Sequence, residues 1–267
     1  MGIAGPETAK AYPIRLLAYH HRLDDELDGT PIWVTYCTMC RTGKVFSPLV
    51  NGEKISFELV GAIRYNSVYR DVETDTIWYQ ANGKAAIGPM AGARLNEYRT
   101  DQVTLDEWLK LFPDSLVLQP DPDATPGYSL FGFDTWDERR SDDTELPEFR
   151  WVVGVEHGER SCAYEWAQLR SAGLLQDTID ELPIAIRLAD DGISYRVWDR
   201  RLDGVTLELS PGQDGTMVHV PTNSSFGADG VGQVGALKGA QLQPVAATVE
   251  FAHSFQTFSN GEYCLRP

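Results

Sequence analysis

The sequence predicts a β-dominated α+β protein built from two related lobes in tandem. Short apolar runs rich in β-branched and aromatic residues recur along the chain, bounded by Gly, Pro, Asn and Asp, which is typical of strands joined by turns. Two of these turns, Asn51-Gly52 and Asp203-Gly204, have the composition that favours tight hairpins. Short residue patterns also return at a nearly constant separation, which indicates an internal duplication. Together these features favour a doubled β framework.

The repeat rests on short matches at two similar shifts. A shift of 152 positions relates Gly2-Ile3 to Gly154-Val155, Ala11-Tyr12 to Ala163-Tyr164, Pro31-Ile32 to Pro183-Ile184 and Asn51-Gly52 to Asp203-Gly204. A later shift of 147 relates residues 92–95 to residues 239–242. We therefore predict a first lobe over residues 1–119, an acidic, Pro- and Gly-rich connection over 120–149, and a second lobe over 150–267. The aromatic residues of the connection are expected to pack on the body of the protein: Tyr128, Phe131, Phe133 and Trp136.

The two lobes are predicted to share one order of elements. Each begins with a short strand and a helical turn, at residues 11–20 and 163–172, and continues into a strand after Pro31 or Pro183. The tight hairpin follows, with return strands at residues 55–60 and 205–209. In the first lobe, Thr104 with Glu107 three places on predicts the start of a short helix that Pro113 ends. The remaining strands of the first lobe are predicted at 65–70, 76–80, 84–87, 94–98 and 115–118.

Composition and charge narrow the function classes. The chain has 267 residues and a net charge of −16, which disfavours a nucleic-acid partner. It has no phosphate-binding loop, nucleophile elbow or dinucleotide fingerprint. No stretch approaches the roughly 20 apolar residues that span a bilayer, and the first residues lack the features of a signal peptide. Localisation stays open between the cytoplasm and export with removal of a leader, and the sequence does not set the oligomeric state.

The motif that stands out is a Cys-x-x-Cys pair, Cys37 and Cys40. The run 32–36 predicts a buried strand that ends at the first thiol, and a second apolar run covers 45–50. Two thiols on such a turn converge on one point, where they can hold a soft metal ion or exchange a disulfide. The shift of 152 places the candidate ligands His20, His21, Cys37 and Cys40 over Ala172, Gly173, Ala189 and Gly192. The site is therefore predicted in the first lobe alone.

Metal binding is the leading hypothesis for this motif. Cys37, Cys40 and one imidazole of the His20-His21 pair would make a Cys2His set with an open fourth position, which is typical of a reactive site. Soft ligands favour Cu(I) or zinc, and Met39 could add a thioether for copper. The expected function is a metal-dependent oxidoreductase, acting in redox or thiol chemistry on a small molecule. The residues expected to position that substrate lie in predicted β segments of the first lobe: Arg64, Asn66, Trp78 and Gln80.

Two alternatives stay open. The protein could be a non-catalytic copper or zinc carrier or sensor, whose exposed site exchanges metal with a partner. It could instead be a thiol–disulfide oxidoreductase in which Cys37 and Cys40 are the catalytic pair. The segment after the motif predicts a strand, so the helix dipole that lowers the thiol pKa in thioredoxin-like proteins is missing, although Arg41 and Lys44 favour thiolates.

The other two cysteines, Cys162 and Cys264, each stand alone among apolar neighbours. Free cysteine is among the most buried residue types and packs as a small hydrophobic side chain. We therefore expect two separate buried thiols, with a Cys162–Cys264 disulfide as the alternative in an oxidising compartment.

A set of motifs points to a family. They are Ala11-Tyr12-Pro13-Ile14-Arg15, His20, the run 34–43 that contains the two thiols, the run 83–89, and Trp108 with Phe112-Pro113-Asp114-Ser115. These residues resemble domain-of-unknown-function family 3179, and the likeness covers most of the chain, including residues 152–202. The resemblance implies one fold unit and a constellation of His20, Cys37 and Cys40. It favours His20 over His21 because relatives tend to have an acidic residue where His21 stands. Members are mostly exported bacterial or archaeal proteins, and the resemblance implies no reaction.

Overall fold

Antiparallel strands dominate the computed structural model, which describes residues 1–133, 140 and 146–266. Strand accounts for 45% and helix for 17% of the residues, so the prediction of a β-dominated α+β fold is confirmed. The helices are α1 (Ile14–His20), α2 (Leu105–Leu111), α3 (Thr125–Leu130), α4 (Trp166–Ala172) and α5 (Ala252–Phe258). Short 3-10 helices cover Pro147–Phe149, Gln213–Gly215 and Val220–Thr222. The predicted cap of α2 is confirmed, since the Thr104 hydroxyl accepts the Glu107 N–H.

Residues 1–118 form three sheets and a small hairpin. Their strands are β1 (Gly2–Ala4), β2 (Ala9–Ala11), β3 (Arg22–Leu27), β4 (Thr30–Cys37), β5 (Thr42–Phe46), β6 (Leu49–Val50), β7 (Glu53–Lys54), β8 (Phe57–Ile63), β9 (Asn66–Asp71), β10 (Ile77–Tyr79), β11 (Ala85–Ile87), β12 (Glu97–Tyr98) and β13 (Leu116–Val117). The sheet orders are β1-β2-β13, β12-β5-β4-β3 and β11-β10-β9-β8, and β6 pairs with β7.

Residues 151–266 also form three sheets and a small hairpin. Their strands are β14 (Trp151–His157), β15 (Arg160–Glu165), β16 (Leu174–Ile179), β17 (Leu182–Leu188), β18 (Tyr195–Asp199), β19 (Arg201–Leu202), β20 (Val205–Thr206), β21 (Ser210–Pro211), β22 (Met217–His219), β23 (Ser224–Phe226), β24 (Gly232–Val234), β25 (Gln243–Pro244), β26 (Thr248–Phe251) and β27 (Glu262–Arg266). The sheet orders are β26-β14-β15-β27, β16-β17-β18-β25 and β21-β22-β23-β24, and β19 pairs with β20.

Strand β4 lies between two apolar cores, which explains why its residues from Ile32 onward are buried. Successive side chains of a strand point to opposite faces. Ile32, Val34 and Tyr36 therefore join the core beneath α1. Trp33 points the other way and stacks on Phe57 of β8, with 3.9 Å between ring centroids. Residues 35 and 37 share the face of Trp33, so the first thiol is directed towards the sheet β11-β10-β9-β8.

Cys162 and Cys264 form a disulfide, so the expectation of two separate buried thiols is wrong and its alternative holds. The two residues are direct partners in the parallel pairing of β15 with β27. They are separated by 102 positions in the chain, and neither has a local pattern that indicates the other. The pairing follows from the return of β27 to its sheet, which is a long-range property.

The connection over 120–149 contains α3 and the first 3-10 helix. Tyr128 is buried against the ring of Tyr19, with 4.8 Å between centroids, and Phe133 packs beside the core beneath α1. Phe131 stays 65% exposed. The expectation for Trp136 lies outside the described residues.

The two halves of the chain make direct contact beside the Cys-x-x-Cys turn. The backbone N–H of Phe251, at the end of β26, donates to the carbonyl oxygen of Cys40 at 3.0 Å. The Asn82 side chain donates to the Phe258 carbonyl at 2.9 Å, and Arg196 pairs with Asp101 at 2.8 Å. Strand β26 and helix α5 of the second half therefore form one wall around the thiols of the first.

Candidate functional site

The two thiols lie at the ends of a short turn between β4 and β5. Cys37 is the last residue of β4 and pairs directly with Thr42, the first residue of β5. Arg41 has φ 62°, a left-handed conformation that closes the turn. Both thiols have 0% exposure, and the interaction with Cys40 is the largest cause that lowers the pKa of Cys37. The two sulfurs are thus close enough to change each other's pKa.

Two side chains lie within hydrogen-bond distance of the sulfur of Cys40. The Thr42 hydroxyl lies 3.1 Å from it, and the amide nitrogen of Asn66 lies 3.2 Å from it. The other amide hydrogen of Asn66 reaches the Gln80 side-chain oxygen at 3.0 Å. Gln80 in turn donates to the Thr35 hydroxyl and to the Thr42 carbonyl, both at 3.0 Å. This buried network holds Cys40 and its two partners in a single arrangement.

The pKa values of the two thiols are shifted in opposite directions. The hydrogen bond from Cys40 and further donors from Ser67 lower the pKa of Cys37 to about 6, against the opposing effect of burial. Burial and the negative charge of the neighbouring Cys37 raise the pKa of Cys40 well above its usual value. The two shifts favour the thiolate on Cys37 over a thiolate on Cys40.

Glu250 of β26 brings a carboxyl group from the second half of the chain to this pair. Its Oε2 accepts the Thr42 hydroxyl at 3.0 Å, and its side chain has little exposure. The Ser254 hydroxyl lies 3.3 Å from the same Thr42 oxygen and also bonds Glu250. Burial raises the pKa of Glu250, and the charge of Lys44 opposes the rise.

A hairpin tip covers Cys37. The turn Arg64-Tyr65 joins β8 to β9, and its Tyr65 carbonyl accepts the Cys37 thiol at 3.4 Å when that thiol is protonated. Both turn residues have positive φ, 50° and 63°, which is unfavourable for residues other than glycine. The Tyr65 ring contacts the rings of Phe149 and His253, with centroid distances of 5.7 and 5.5 Å. Access to the thiols from this side requires movement of the tip.

The predicted ligand His20 is held elsewhere. Its Nε2 lies 2.6 Å from the hydroxyl oxygen of Tyr128 in α3, and its ring packs on those of Tyr19 and Tyr128. Helix α1 ends at His20, and His21 follows with φ 63°. Across residues 1–133, 140 and 146–266, no group of three or more His, Cys, Asp or Glu side chains is placed to hold a metal ion. The described residues thus bring together the two sulfurs of the predicted set without its imidazole.

The four predicted substrate residues divide into two pairs. Asn66 and Gln80 lie at the thiols, where they hold Cys40 and its surroundings. Trp78 is buried in the core and donates its indole N–H to Asp71 at 2.7 Å. Arg64 lies at the exposed hairpin tip. Asn66 and Gln80 thus contact the motif itself, and the substrate-binding role of the four residues stays a prediction.

Four residues at the thiols were not selected from the sequence: Thr42, Ser67, Glu250 and Ser254. Thr42 and Ser67 are small polar residues in strands, which carry no individual signal. Glu250 had one, since it stands between Val249 and Phe251 in a β-rich stretch, and a carboxyl in a buried strand needs polar partners. Its partner Thr42 is 208 positions away, so that signal does not indicate where the carboxyl binds.

Among the described residues, three cavities lie near the contact between the halves. The most voluminous of the three, about 790 Å³, lies between Arg64 and Asn82 of the first half and residues 256–260 of the second. A second, of about 230 Å³, opens beside β5 and β26 and is lined by residues that include Lys44, Glu97 and Thr248. A third, of about 380 Å³, is lined by Tyr12, Trp108 and other mainly apolar residues, and none of its lining residues is a site residue described above. Among the described helices, none combines the length and apolar character needed to cross a membrane.

Comparison with known proteins places the chain in a family. A family model described as "Protein of unknown function (DUF3179)" matches residues 1–262, which is nearly the whole chain. No curated protein and no solved structure matches the chain. The expected resemblance is confirmed, and this protein belongs to the DUF3179 family.

Proposed function

We propose that the protein is a thiol–disulfide oxidoreductase in which Cys37 and Cys40 alternate between a dithiol and a disulfide. The observation that supports this best is the placement of two buried thiols on one short turn, where their pKa values are shifted in opposite directions. Disulfide exchange needs one sulfur that is a thiolate at neutral pH and a second that stays protonated until its turn comes. The pair provides both without any further ligand.

Cys37 is the attacking sulfur in this proposal. Its thiolate attacks one sulfur of a substrate disulfide, the substrate S–S bond breaks, and the released thiolate takes a proton from solvent. Cys40 then attacks the Cys37 sulfur of the mixed disulfide and releases the second substrate thiolate. After this step the protein holds a Cys37–Cys40 disulfide, and the substrate has been reduced by two electrons.

Hydrogen-bond donors replace the helix dipole that the motif lacks. In thioredoxin-like proteins a helix N-terminus lowers the pKa of the attacking thiol. Here the chain enters β5 directly after the turn, and donors from Cys40 and Ser67 have that effect on Cys37. The absence of a helix after the motif therefore does not rule out a lowered thiol pKa, because hydrogen-bond donors lower it instead.

The substrate proposed for this site is a small disulfide. Both sulfurs are buried, and Cys37 lies beneath the Arg64-Tyr65 tip. Left-handed backbone costs non-glycine residues about 1 kcal/mol or more each, so this tip starts from an unfavourable conformation. Movement of two residues would open Cys37 to a small molecule, whereas a protein substrate would require a wider opening.

The copper or zinc hypothesis makes a different demand on the chain. It needs a third ligand beside the sulfurs, and the predicted one, His20, is hydrogen-bonded to Tyr128. The dithiol proposal uses the two groups that are already in contact, so the geometry favours it. The metal hypothesis becomes the second outcome of the test.

The test is a redox titration of the purified full chain in thiol–disulfide buffers, with and without a chelator. Free thiols are alkylated and the products are assigned by mass spectrometry. We expect a reversible Cys37–Cys40 disulfide whose midpoint potential is unchanged by the chelator. Stoichiometric copper or zinc that is retained by the reduced chain and lost in Cys37→Ala would instead support the metal hypothesis and contradict the proposal.

We also infer that the two halves arose by internal duplication, with boundaries near 1–119 and 150–267. Support comes from the strand registers: Glu26 pairs with Pro31 in β3–β4, and Thr178 pairs with Pro183 in β16–β17, 152 positions later. The sheets also correspond in order, since β12-β5-β4-β3 and β25-β18-β17-β16 run alike. Expression of 1–119 and 150–267 as separate chains tests the boundaries, and assembly into the native fold on mixing is expected.

A further inference from the structure

We propose that Glu250 receives the proton of Cys40 during disulfide exchange and that the Thr42 hydroxyl passes it on. This inference rests on the proposed dithiol function. It assigns to the second half of the chain a part in the chemistry of a motif that lies wholly in the first. Glu250 acts on the reacting sulfur through Thr42, so it is a positioning residue and not a nucleophile.

The contacts of the Thr42 hydroxyl carry the inference. Its oxygen lies 3.1 Å from the sulfur of Cys40 and 3.0 Å from Oε2 of Glu250. A hydroxyl has one hydrogen, so it can donate to one of these groups while it accepts from the other. In one arrangement Cys40 holds the proton and donates to Thr42, which donates to the Glu250 carboxylate. In the other, the Glu250 carboxyl group holds the proton and donates to Thr42, which donates to the Cys40 thiolate.

The hydrogen of Cys40 changes its acceptor during the reaction. In the proposed dithiol state it is donated to the Cys37 thiolate, which agrees with Cys40 being the largest cause that lowers the pKa of Cys37. After Cys37 has entered a mixed disulfide, its sulfur has lost the negative charge and is a poor acceptor. The Thr42 oxygen is then the acceptor in contact with Cys40, and Thr42 itself donates to Glu250.

Burial explains why a carboxyl group is placed here. Cys40 has 0% exposure and Glu250 has 3%, so the proton of Cys40 has no direct route to bulk water. A second negative charge on the buried Cys40–Glu250 pair would be costly. Passing one proton between Cys40 and Glu250 keeps a single negative charge on the pair throughout. Asn66, which donates to the sulfur at 3.2 Å, stabilises the thiolate while it exists.

The second step of exchange then balances as follows. The S–H bond of Cys40 breaks, its proton moves to the Thr42 oxygen, and the Thr42 hydroxyl proton moves to the Glu250 carboxylate. The Cys40 sulfur forms a bond with the Cys37 sulfur. The bond between Cys37 and the substrate sulfur breaks, and its electron pair leaves with the substrate as a thiolate, which is protonated by solvent.

The titratable groups that interact with Glu250 come from three other elements. They are Cys40 on the turn, Lys44 on β5 and Tyr195 on β18. Lys44 also pairs with Glu97 at 2.8 Å, and both line the 230 Å³ cavity beside Glu250. A positive charge on that side favours the carboxylate, which is the form that accepts a proton.

The test follows the two steps separately. The reduced full chain is mixed with an aromatic disulfide reagent that releases one coloured thiolate when Cys37 attacks and a second when Cys40 resolves the mixed disulfide. We expect Glu250→Gln to leave the first release unchanged and to slow the second by about 100-fold at neutral pH. The defect should shrink as pH rises and Cys40 ionises unaided, so the pH profile of the second release changes shape.

Matched variants separate this effect from a loss of structure. Glu156→Gln removes an exposed carboxylate from the same cavity and should keep both releases. Thr42→Ser keeps the hydroxyl and should keep the second release, whereas Thr42→Val should slow it. If Glu250→Gln does not fold, the comparison of these two variants tests the proton transfer. An unchanged second release in Glu250→Gln or Thr42→Val overturns the inference and leaves the dithiol function standing. Absence of the second release in the unaltered chain overturns both.

Discussion

Two turns of the molecule occupy similar places and are stabilised in different ways. In the turn between β4 and β5 the side-chain hydrogen bonds meet at a sulfur, since Cys40 accepts the Asn66 amide and lies 3.1 Å from the Thr42 hydroxyl. The turn between β17 and β18 is closed by Asp191, whose carboxylate accepts the backbone N–H groups of Ile193 and Ser194 at 2.9 and 2.7 Å. A carboxylate with several donors stays ionised and inert. The first turn instead keeps two groups that titrate and can be oxidised.

Each turn also accepts a hydrogen bond from a backbone N–H of the other half of the chain, in the residue that precedes a helix. The Phe251 N–H donates to the Cys40 carbonyl ahead of α5, and the Thr104 N–H donates to the Ser194 hydroxyl at 2.9 Å ahead of α2. One residue earlier, the chain has Glu250 in the first contact and Val103 in the second. The thiols and the buried carboxyl group thus occur together at the first contact, and the second contact has neither. A specialised site requires this difference.

The largest expected effect separates the two turns by chemistry. Cys37→Ser removes the attacking thiolate, so the rate of release from an aromatic disulfide reagent should fall to that of the reagent alone. Ala189→Ser changes the position 152 residues later, at the end of β17, and should keep the original rate. A residual rate in Cys37→Ser close to that of the unaltered chain would show that Cys37 is not the attacking sulfur.

The next effect concerns the charge on Cys37. The ultraviolet absorbance of the thiolate, followed against pH, should show a midpoint near pH 6, where an ordinary thiol has 9.0. Cys37→Ala should lack this step. Because the pKa in the folded chain is below the unfolded value, this thiolate stabilises the fold fully above pH 9 and loses that contribution as pH falls through 6. A single step near pH 9 would contradict the hydrogen-bonded pair.

Much of the scaffold could be predicted because its signals are local. The alternation of apolar residues locates β4, and Thr104 with Glu107 locates the start of α2, since each depends on neighbours within a few positions. The Cys-x-x-Cys turn is a local signal of the same kind. These features place the thiols at a strand end without knowledge of the rest of the fold.

The partners of the thiols could not be predicted because they are distant in the chain. Glu250 reaches Thr42 across 208 positions, and Tyr128 reaches His20 across 108. Such contacts depend on how the halves and the connection pack, which periodicity does not encode. The motif alone therefore left metal binding and disulfide exchange open, and the position of one imidazole and one carboxyl group changes which is favoured.

A smaller effect distinguishes the two cysteine pairs. Cys162 and Cys264 join β15 to β27 in the second half and should contribute to stability alone. The double variant Cys162→Ala/Cys264→Ala should lower the free energy of unfolding by about 3 kcal/mol, since the bond closes a long loop. Denaturant unfolding measures this loss, and the thiolate step of Cys37 should stay in place. Loss of that step in a folded double variant would show that the disulfide also sets the environment of Cys37.

The smallest effect tests whether the second turn is a purely structural cap. Asp191 accepts two backbone N–H groups and the hydroxyls of Ser194 and Thr104, the latter at 2.8 Å. Asp191→Ala leaves these donors to water and should cost about 2 kcal/mol in denaturant unfolding, at the low end of roughly 0.5–1.5 kcal/mol net for each of the four hydrogen bonds. Glu181→Ala, an exposed acidic residue in another turn of the same half, should cost about 0.5 kcal/mol or less. Because the Asp191 cap meets α2 and not β26, both variants should keep the reactivity of Cys37. A change in the thiolate midpoint of Asp191→Ala would mean that the two contacts between the halves are coupled, and the separation of a structural turn from a chemical one would not hold.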